Sequence, residues 1–228
     1  MKKLILSLFI FTLFMIDELE AQDWANLAQF KDANVELGAP KIDEERVVFM
    51  GNSITIGWLQ LLPSFFDGKP YVNRGISGQT TPQMLLRFRQ DVISLDPKVV
   101  VILAGTNDIA GNTGPITLEM ILDNIKSMTE LAEANDISVV ISSVLPAFDY
   151  PWRTGKEPNK KIPALNAMLK DYAEKKGVVY LDYFSAMEDG NNGMIEAYGS
   201  DGVHPNAKGY EVMSPLVEKA IQQALNKK

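Results

Sequence analysis

Five short segments between positions 46 and 181 consist almost entirely of apolar residues. They lie at 46–50, 71–73, 99–103, 137–144 and 178–181. Val, Ile and Leu follow one another there with little polar alternation, which is typical of strands buried on both faces of a parallel sheet. The pattern therefore predicts five parallel strands.

Helix-like segments occupy the stretches between and after these strands. The clearest are 117–134, 160–176 and 207–225, and residues 23–37 predict another helix before the first strand. Thr117 stands where an N-cap would open the first of these helices. Strands that alternate with helices predict a three-layer, doubly wound, flavodoxin-like α/β domain, with a five-stranded parallel sheet and helices on both faces.

The first residues carry a pattern of their own. Lys2 and Lys3 precede an apolar run at 4–16, and Ala21 offers a small residue for cleavage before Gln22. This order is typical of a secretory signal. A membrane-spanning helix is the alternative, but the run is too short to cross a hydrocarbon core of about 30 Å.

We therefore predict a signal peptide at 1–21 and a single domain at 22–228. The mature protein is then expected in the periplasm or outside the cell, without stable membrane insertion after cleavage.

The net charge and the counts of cysteine and histidine exclude or disfavour several kinds of partner and active site. The net charge of −7 argues against nucleic-acid binding, because that affinity is built largely from Lys and Arg contacts with phosphates. The absence of cysteine excludes disulfides, a thiol nucleophile and a cysteine metal site. With one histidine a metal hydrolase is disfavoured, although a site made only of Asp and Glu stays open. No cofactor or metal is expected, and the oligomeric state cannot be read from the chain.

Polar residues follow the predicted strands closely, at the edge where doubly wound sheets bind their ligands. Residues 51–53 follow the first strand, 75–78 the second and 105–108 the third, while 201–204 lie beyond the fifth. The sequence therefore predicts a functional site built from these four loops.

His204 is the only histidine in the chain. Histidine is the usual general base near neutral pH because its ordinary pKa lies close to that range. Asp201, three residues earlier, could accept a hydrogen bond from the imidazole and stabilise its charged form. The structural alternative is that Asp201 caps the C-terminal helix and His204 is a surface residue.

Ser53 lies at a strand-to-helix corner, two residues after Gly51. A serine hydroxyl is a weak nucleophile unless a base accepts its proton, so Ser53 would need His204 beside it in space. The alternative is that Ser53 only caps the helix that starts near Ile54.

Gly78 and Asn107 are candidate hydrogen-bond donors for an oxyanion. Acyl transfer develops negative charge on a carbonyl oxygen, and preorganised N–H groups stabilise it. A glycine backbone N–H and an asparagine side-chain amide supply such donors without adding charge. Alternatively, Gly75 and Gly78 are plain turn glycines and Asn107 begins an Asx-turn.

These residues fall into four ordered blocks that read GNSIT, NRGISGQTT, GTND and DGVHPN. They lie at 51–55, 73–81, 105–108 and 201–206. In these blocks the sequence resembles the SGNH hydrolases, also called GDSL-type esterases. The resemblance extends from about Val47 to Ala224. The fold that it implies is a five-stranded parallel sheet with helices on both faces.

The resemblance implies a role for each candidate residue. Ser53 would be the nucleophile, and its backbone N–H would face the oxyanion together with the Gly78 N–H and the Asn107 amide. His204 would act as general base and then as general acid, oriented by Asp201.

One position departs from the family pattern. The family's usual Asp before the nucleophile is Asn52 here, which is not a member of its catalytic set and keeps an acceptor in the tight turn. The block at 73–81 is also similar to the platelet-activating-factor acetylhydrolase-like branch, which favours acetyl esters.

The predicted function is therefore hydrolysis of short-chain, acetyl-type esters through an acyl-enzyme, with a small-molecule or O-acetylated glycan substrate. A lysophospholipase or thioesterase of the same family is the first alternative. A flavodoxin-like, non-catalytic binding module is the second, although no phosphate-binding glycine motif is found in the chain. Aromatic residues that could rim the site and stack on a sugar, rather than lie in the core, are Phe148, Tyr150, Trp152 and Tyr198.

Overall fold

A computed structural model describes residues 23–227, so the predicted signal peptide lies outside the described residues and stays a prediction. The domain is built on one five-stranded, all-parallel sheet in the order β2-β1-β3-β4-β5. Its strands are β1 (Val47–Gly51), β2 (Tyr71–Gly75), β3 (Val99–Leu103), β4 (Ser138–Ser142) and β5 (Val179–Leu181). This order is that of a flavodoxin-like sheet, so the predicted fold class is confirmed.

Eight α-helices occur within residues 23–227. They are α1 (Lys31–Leu37), α2 (Ser53–Leu61), α3 (Thr81–Asp91), α4 (Thr106–Ala110), α5 (Leu118–Glu133), α6 (Pro158–Lys176), α7 (Phe184–Met187) and α8 (Ala207–Leu225). In this part of the chain, no helix is both long and apolar enough to cross a membrane.

The two faces of the sheet are covered by different helices. Successive strand residues point to opposite faces, so Val48 and Met50 enter one core while Val47 and Phe49 enter the other. Apolar residues of α3, α5 and α6 pack on the first face, and those of α2 and α8 pack on the second. Burial on both faces explains the uninterrupted Val and Ile runs of the strands.

Strands β1, β2 and β3 end at the same level. Gly51 of β1 pairs with Gly75 of β2 on one side and with Leu103 of β3 on the other. The loops that follow these strands therefore leave the sheet side by side, at its carboxyl edge.

The N-terminal segment differs from its predicted conformation. The pattern predicts one helix over residues 23–37, but only Lys31–Leu37 is helical. Asn26 has a φ of 53°, in the left-handed region that interrupts a right-handed helix. The Asp23 carboxylate accepts from the N–H groups of Leu27 and Ala28 and stabilises the turn instead.

Helices α2 and α8 are joined by a buried aromatic contact. The Tyr210 hydroxyl donates to the Ile54 carbonyl at 2.7 Å, and the Tyr210 ring stacks on Trp58 with centroids 5.3 Å apart. Gly57 makes this approach possible, because a Cβ there would lie 2.7 Å from the Tyr210 hydroxyl oxygen. The contact fixes the helix that begins at Ser53 against the helix that follows His204.

Gly57→Ala is expected to lower the free energy of unfolding by about 1 kcal/mol, because overpacking outweighs the better helix propensity of alanine. In a Tyr210→Phe background the hydroxyl is gone, so the same change is expected to raise stability by up to about 1 kcal/mol. Urea denaturation of the wild type, the two single variants and the double variant measures the coupling between Gly57 and Tyr210. Equal effects of Gly57→Ala in both backgrounds would contradict the proposed contact.

Candidate active site

Ser53, His204 and Asp201 form one continuous hydrogen-bonded chain. Ser53 Oγ lies 2.9 Å from His204 Nε2, and His204 Nδ1 lies 2.8 Å from Asp201 Oδ2. The side chains of His204 and Asp201 are 35% and 38% exposed, so solvent and a ligand can reach them. The structure thus brings together three residues that lie up to 151 positions apart.

Local capping leaves the Ser53 hydroxyl free for this contact. Asn52 is the N-cap of α2, and its Oδ1 accepts from the Ile54 N–H at 3.0 Å. Ser53 is the first helical residue, so the alternative that it caps the helix is wrong. The acceptor expected of Asn52 in the tight turn is present.

The loop before α8 is held by the Asp201 carboxylate. Its Oδ1 accepts from the backbone N–H groups of Val203 at 3.0 Å and His204 at 2.8 Å, while Oδ2 faces the imidazole. The N-cap of α8 is Asn206, which accepts from the Gly209 N–H. The alternative that Asp201 caps α8 is therefore wrong.

The Asp201 carboxylate is charged at neutral pH. Partial burial raises its pKa, but hydrogen bonds from the His204 backbone, the His204 ring and the Val203 backbone outweigh this effect and hold the pKa below its ordinary value. A negative charge at 2.8 Å from Nδ1 stabilises the imidazolium that forms when Nε2 takes up a proton.

Three N–H donors in the loops around Ser53 have no hydrogen-bond acceptor among residues 23–227. Two are the backbone N–H groups of Ser53 and Gly78. The third belongs to the Asn107 amide, which has two hydrogens and donates one of them to the Gln79 carbonyl at 2.9 Å. Because they follow neighbouring strands, these donors are suited to stabilise a developing negative charge.

The two glycines of the second block have different physical roles. Gly78 has a φ of 77°, in the left-handed region, so it is a true turn glycine. Gly75 instead ends β2, where a Cβ would overlap the backbone nitrogen of Ile56. Gly75 therefore permits close packing of β2 against α2, and its interpretation as a turn glycine is wrong.

Trp152 is an aromatic residue beside His204. The residue is 46% exposed, and its ring lies 5.7 Å from the His204 ring, centroid to centroid. Beneath it, Tyr150 stacks on Trp152 at 5.3 Å and bonds Thr106 Oγ1 through its hydroxyl at 3.0 Å. Tyr150 is fully buried, so it supports Trp152 and does not itself rim the site.

The other two predicted rim residues have no ring contact with His204. Phe148 is largely exposed, and Tyr198 is half-buried with Lys208 over its ring. Within residues 23–227, no group of three or more His, Asp or Glu side chains is placed to hold a metal ion.

A comparison with protein families shows which family the chain belongs to. Residues 49–212 match the model of the GDSL-like lipase/acylhydrolase family. The chain belongs to this family.

Two solved structures are similar over nearly their whole length. A candidate acylhydrolase from Bacteroides fragilis is 47% identical with a TM-score of 0.86, and it covers 90% of this chain and 99% of its own. A GDSL-like lipase from Bacteroides thetaiotaomicron is 46% identical with a TM-score of 0.85, covering 88% and 99% respectively.

A curated relative with an assigned substrate is an acetylxylan esterase from Xylanibacter ruminicola. It is 26% identical over 221 residues, which cover 81% of this chain and 44% of the relative. The chain thus spans about half the length of the first curated relatives that it matches.

Asp108 is a buried carboxyl group next to Asn107. It accepts from the Thr81 N–H at 2.9 Å and from the Thr81 hydroxyl at 2.6 Å, at the start of α3. Burial raises its pKa from the ordinary 3.8 to about 6, against the opposing effect of the Thr81 hydrogen bonds. The folded chain therefore binds a proton here between about pH 4 and pH 6 that the unfolded chain has released.

Through Asp108 the free energy of unfolding is expected to decrease as the pH rises from about 4 to 6, by up to about 3 kcal/mol. Asp108→Asn removes this contribution, while its Oδ1 can still accept from Thr81. Urea unfolding at pH 4 and pH 7 should therefore show a relative gain in stability for the variant at pH 7. Parallel pH profiles for the two proteins would contradict the raised pKa.

Proposed function

We propose that this chain is a serine esterase that hydrolyses short-chain, acetyl-type carboxylic esters through an acyl-enzyme. The observation that carries the proposal is the series of hydrogen bonds from Ser53 through His204 to Asp201, together with nearby N–H donors that have no acceptor. Family membership supports the same reaction class, since the family comprises lipases and acylhydrolases.

In the proposed acylation, His204 Nε2 takes the proton from Ser53 Oγ as the oxygen attacks the ester carbonyl carbon. The resulting oxyanion accepts hydrogen bonds from the Ser53 and Gly78 N–H groups and from the Asn107 amide. When the intermediate collapses, His204 gives its proton to the leaving alcohol, and the acyl group stays on Ser53.

Deacylation repeats the same steps with water as the nucleophile. His204 removes a proton from the water as it attacks the acyl carbon, and then returns a proton to Ser53 Oγ. Asp201 stays ionised in both halves of the reaction and stabilises the imidazolium each time.

Ser53→Ala is expected to lower kcat on p-nitrophenyl acetate by at least about 10³-fold with folding preserved, because no covalent intermediate can form. A fluorophosphonate should label the wild type and spare this variant. Ser77→Ala, at an exposed serine near the same sheet edge, is the matched control and should retain activity and labelling. Turnover of the Ser53→Ala protein at the wild-type rate would exclude Ser53 as the nucleophile. If the wild type cleaved p-nitrophenyl octanoate faster than p-nitrophenyl acetate, the proposed preference for short acyl chains would be excluded.

For the substrate, we propose an acetyl ester carried by a sugar ring. Trp152 offers an exposed, rigid aromatic face beside His204, held from below by Tyr150, and such faces favour flat, partly apolar rings. The similarity to an acetylxylan esterase and the predicted export signal support an extracytoplasmic glycan ester.

Trp152→Ala is expected to lower kcat/KM on acetylated xylo-oligosaccharides roughly tenfold, or about 1.4 kcal/mol, mainly by raising KM. On ethyl acetate, which has no ring, the same change should have less than a twofold effect. Phe148→Ala is the matched control, because it removes an exposed aromatic side chain of the same loop that does not contact His204. Equal losses on both substrates would argue against a sugar-stacking role.

A further inference from the structure

Gln79 connects the proposed oxyanion donors to buried parts of the fold. It follows Gly78 directly and is 2% exposed. Its side-chain oxygen accepts from Arg87 Nε at 2.6 Å, and its amide nitrogen donates to the Ala25 carbonyl at 2.7 Å. Its backbone carbonyl accepts from the Asn107 amide at 2.9 Å. One residue thus joins three separate segments of the chain at the site.

Arg87 is itself held rigidly. Its Nη2 donates to the carbonyls of Gly51 at 3.1 Å and Arg74 at 2.9 Å, which end β1 and nearly end β2. Its Nη1 bonds the Asp91 carboxylate at 3.1 Å, and both charged side chains are fully buried. The guanidinium therefore has a fixed position relative to the carboxyl edge of the sheet.

The N-terminal segment, residues 23–30, lies along α3 and supplies the second partner of the Gln79 side chain. Two glutamines of α3 donate to carbonyls of this segment. Gln83 donates to Trp24 at 2.6 Å, and Gln90 donates to Leu27 at 2.5 Å. Ala25 is buried at the point where Gln79 bonds its carbonyl. The segment is therefore anchored at three carbonyls. Gln79 and Gln83 both connect it to residues 76–80, here called the oxyanion loop, because Gln83 also accepts from the Thr80 N–H, but of the three glutamines only Gln79 is bonded by the Asn107 amide.

We propose that Gln79 is a positioning residue for the oxyanion hole, through which Arg87 and the N-terminal segment set the orientation of the Asn107 amide. One hydrogen of that amide is directed at the Gln79 carbonyl, so the position of this carbonyl determines where the second hydrogen points. The Gln79 peptide lies in an irregular loop, and its side-chain bonds hold it in place. This inference rests on the proposed function, because the second hydrogen matters only if an oxyanion forms.

Gln79→Ala is expected to lower kcat on p-nitrophenyl acetate at least about tenfold with little change in KM, because displacing a donor weakens transition-state binding more than substrate binding. Gln90→Ala is the matched control. It removes a glutamine that donates to the same N-terminal segment without contact to the oxyanion loop, and it should leave kcat unchanged.

A double-mutant cycle separates positioning from general destabilisation. Asn107→Ala alone is expected to lower kcat by about 10²–10³-fold. In that background Gln79→Ala should lower kcat by less than about twofold more, because there is no amide left to orient. A further tenfold loss, with independent effects of the two changes, would overturn the proposal.

Gln79→Glu provides a second test in case the alanine variant does not fold. It keeps an acceptor for Arg87 Nε and removes the donation to Ala25, so kcat should again fall and again be coupled to Asn107→Ala. Fluorophosphonate titration counts the active sites, so that kcat is expressed per competent molecule. Wild-type kcat in both Gln79 variants would overturn this inference alone, whereas a wild-type protein without Ser53-dependent hydrolysis would overturn the proposed function.

Discussion

The hydrogen bond between Ser53 Oγ and His204 Nε2 is the interaction on which the site depends, and it joins residues 151 positions apart. Its length is maintained by the packing of α2 against α8, where Tyr210 donates to the Ile54 carbonyl and stacks on Trp58. Ser53 begins α2 and His204 lies in the short loop before α8, so the packing of these two helices leaves the two residues little freedom to separate. The proposed nucleophile and its base are thus preorganised by an aromatic contact on the face of the sheet opposite α3 and α5.

A second, polar framework surrounds the oxyanion loop. Burial lowers the pKa of Arg87 while Asp91 opposes that effect, and all of the contacts described for Arg87 go to fixed acceptors. A buried ion pair of this kind contributes little net stability, because desolvation offsets the attraction, but its geometry is demanding. The ion pair instead fixes the position of Arg87, whose guanidinium joins the ends of two strands to the Gln79 side chain.

The sequence pattern predicted an element correctly where the buried side chains of that element are apolar, and it failed where some of them are polar. All five strands were predicted to within two residues at each end, because most of their residues are apolar and buried on both faces of the sheet. The pattern does not single out α3, because Arg87 and Asp91 lie on its buried side and break the apolar stripe. The segment at 23–30 reads as helix because its residues have adequate helix propensity, whereas Asp23 and Asn26 stabilise a turn.

The sequence by itself determined the sheet, the edge at which the site forms and the residues Ser53, Gly78, Asn107, Asp201 and His204 as candidates, because each follows a strand or lies in a motif of fixed order. Only the tertiary structure decided that Ser53 and Asp201 contact His204 and do not cap helices, because the neighbouring Asn52 and Asn206 are equally good N-cap residues and occupy those positions. It also decided that Trp152 contacts His204 while Tyr150 is buried beneath it, and that Gln79 joins Arg87 to Asn107. These contacts join residues far apart in the chain, and their distances depend on how the helices pack across the sheet.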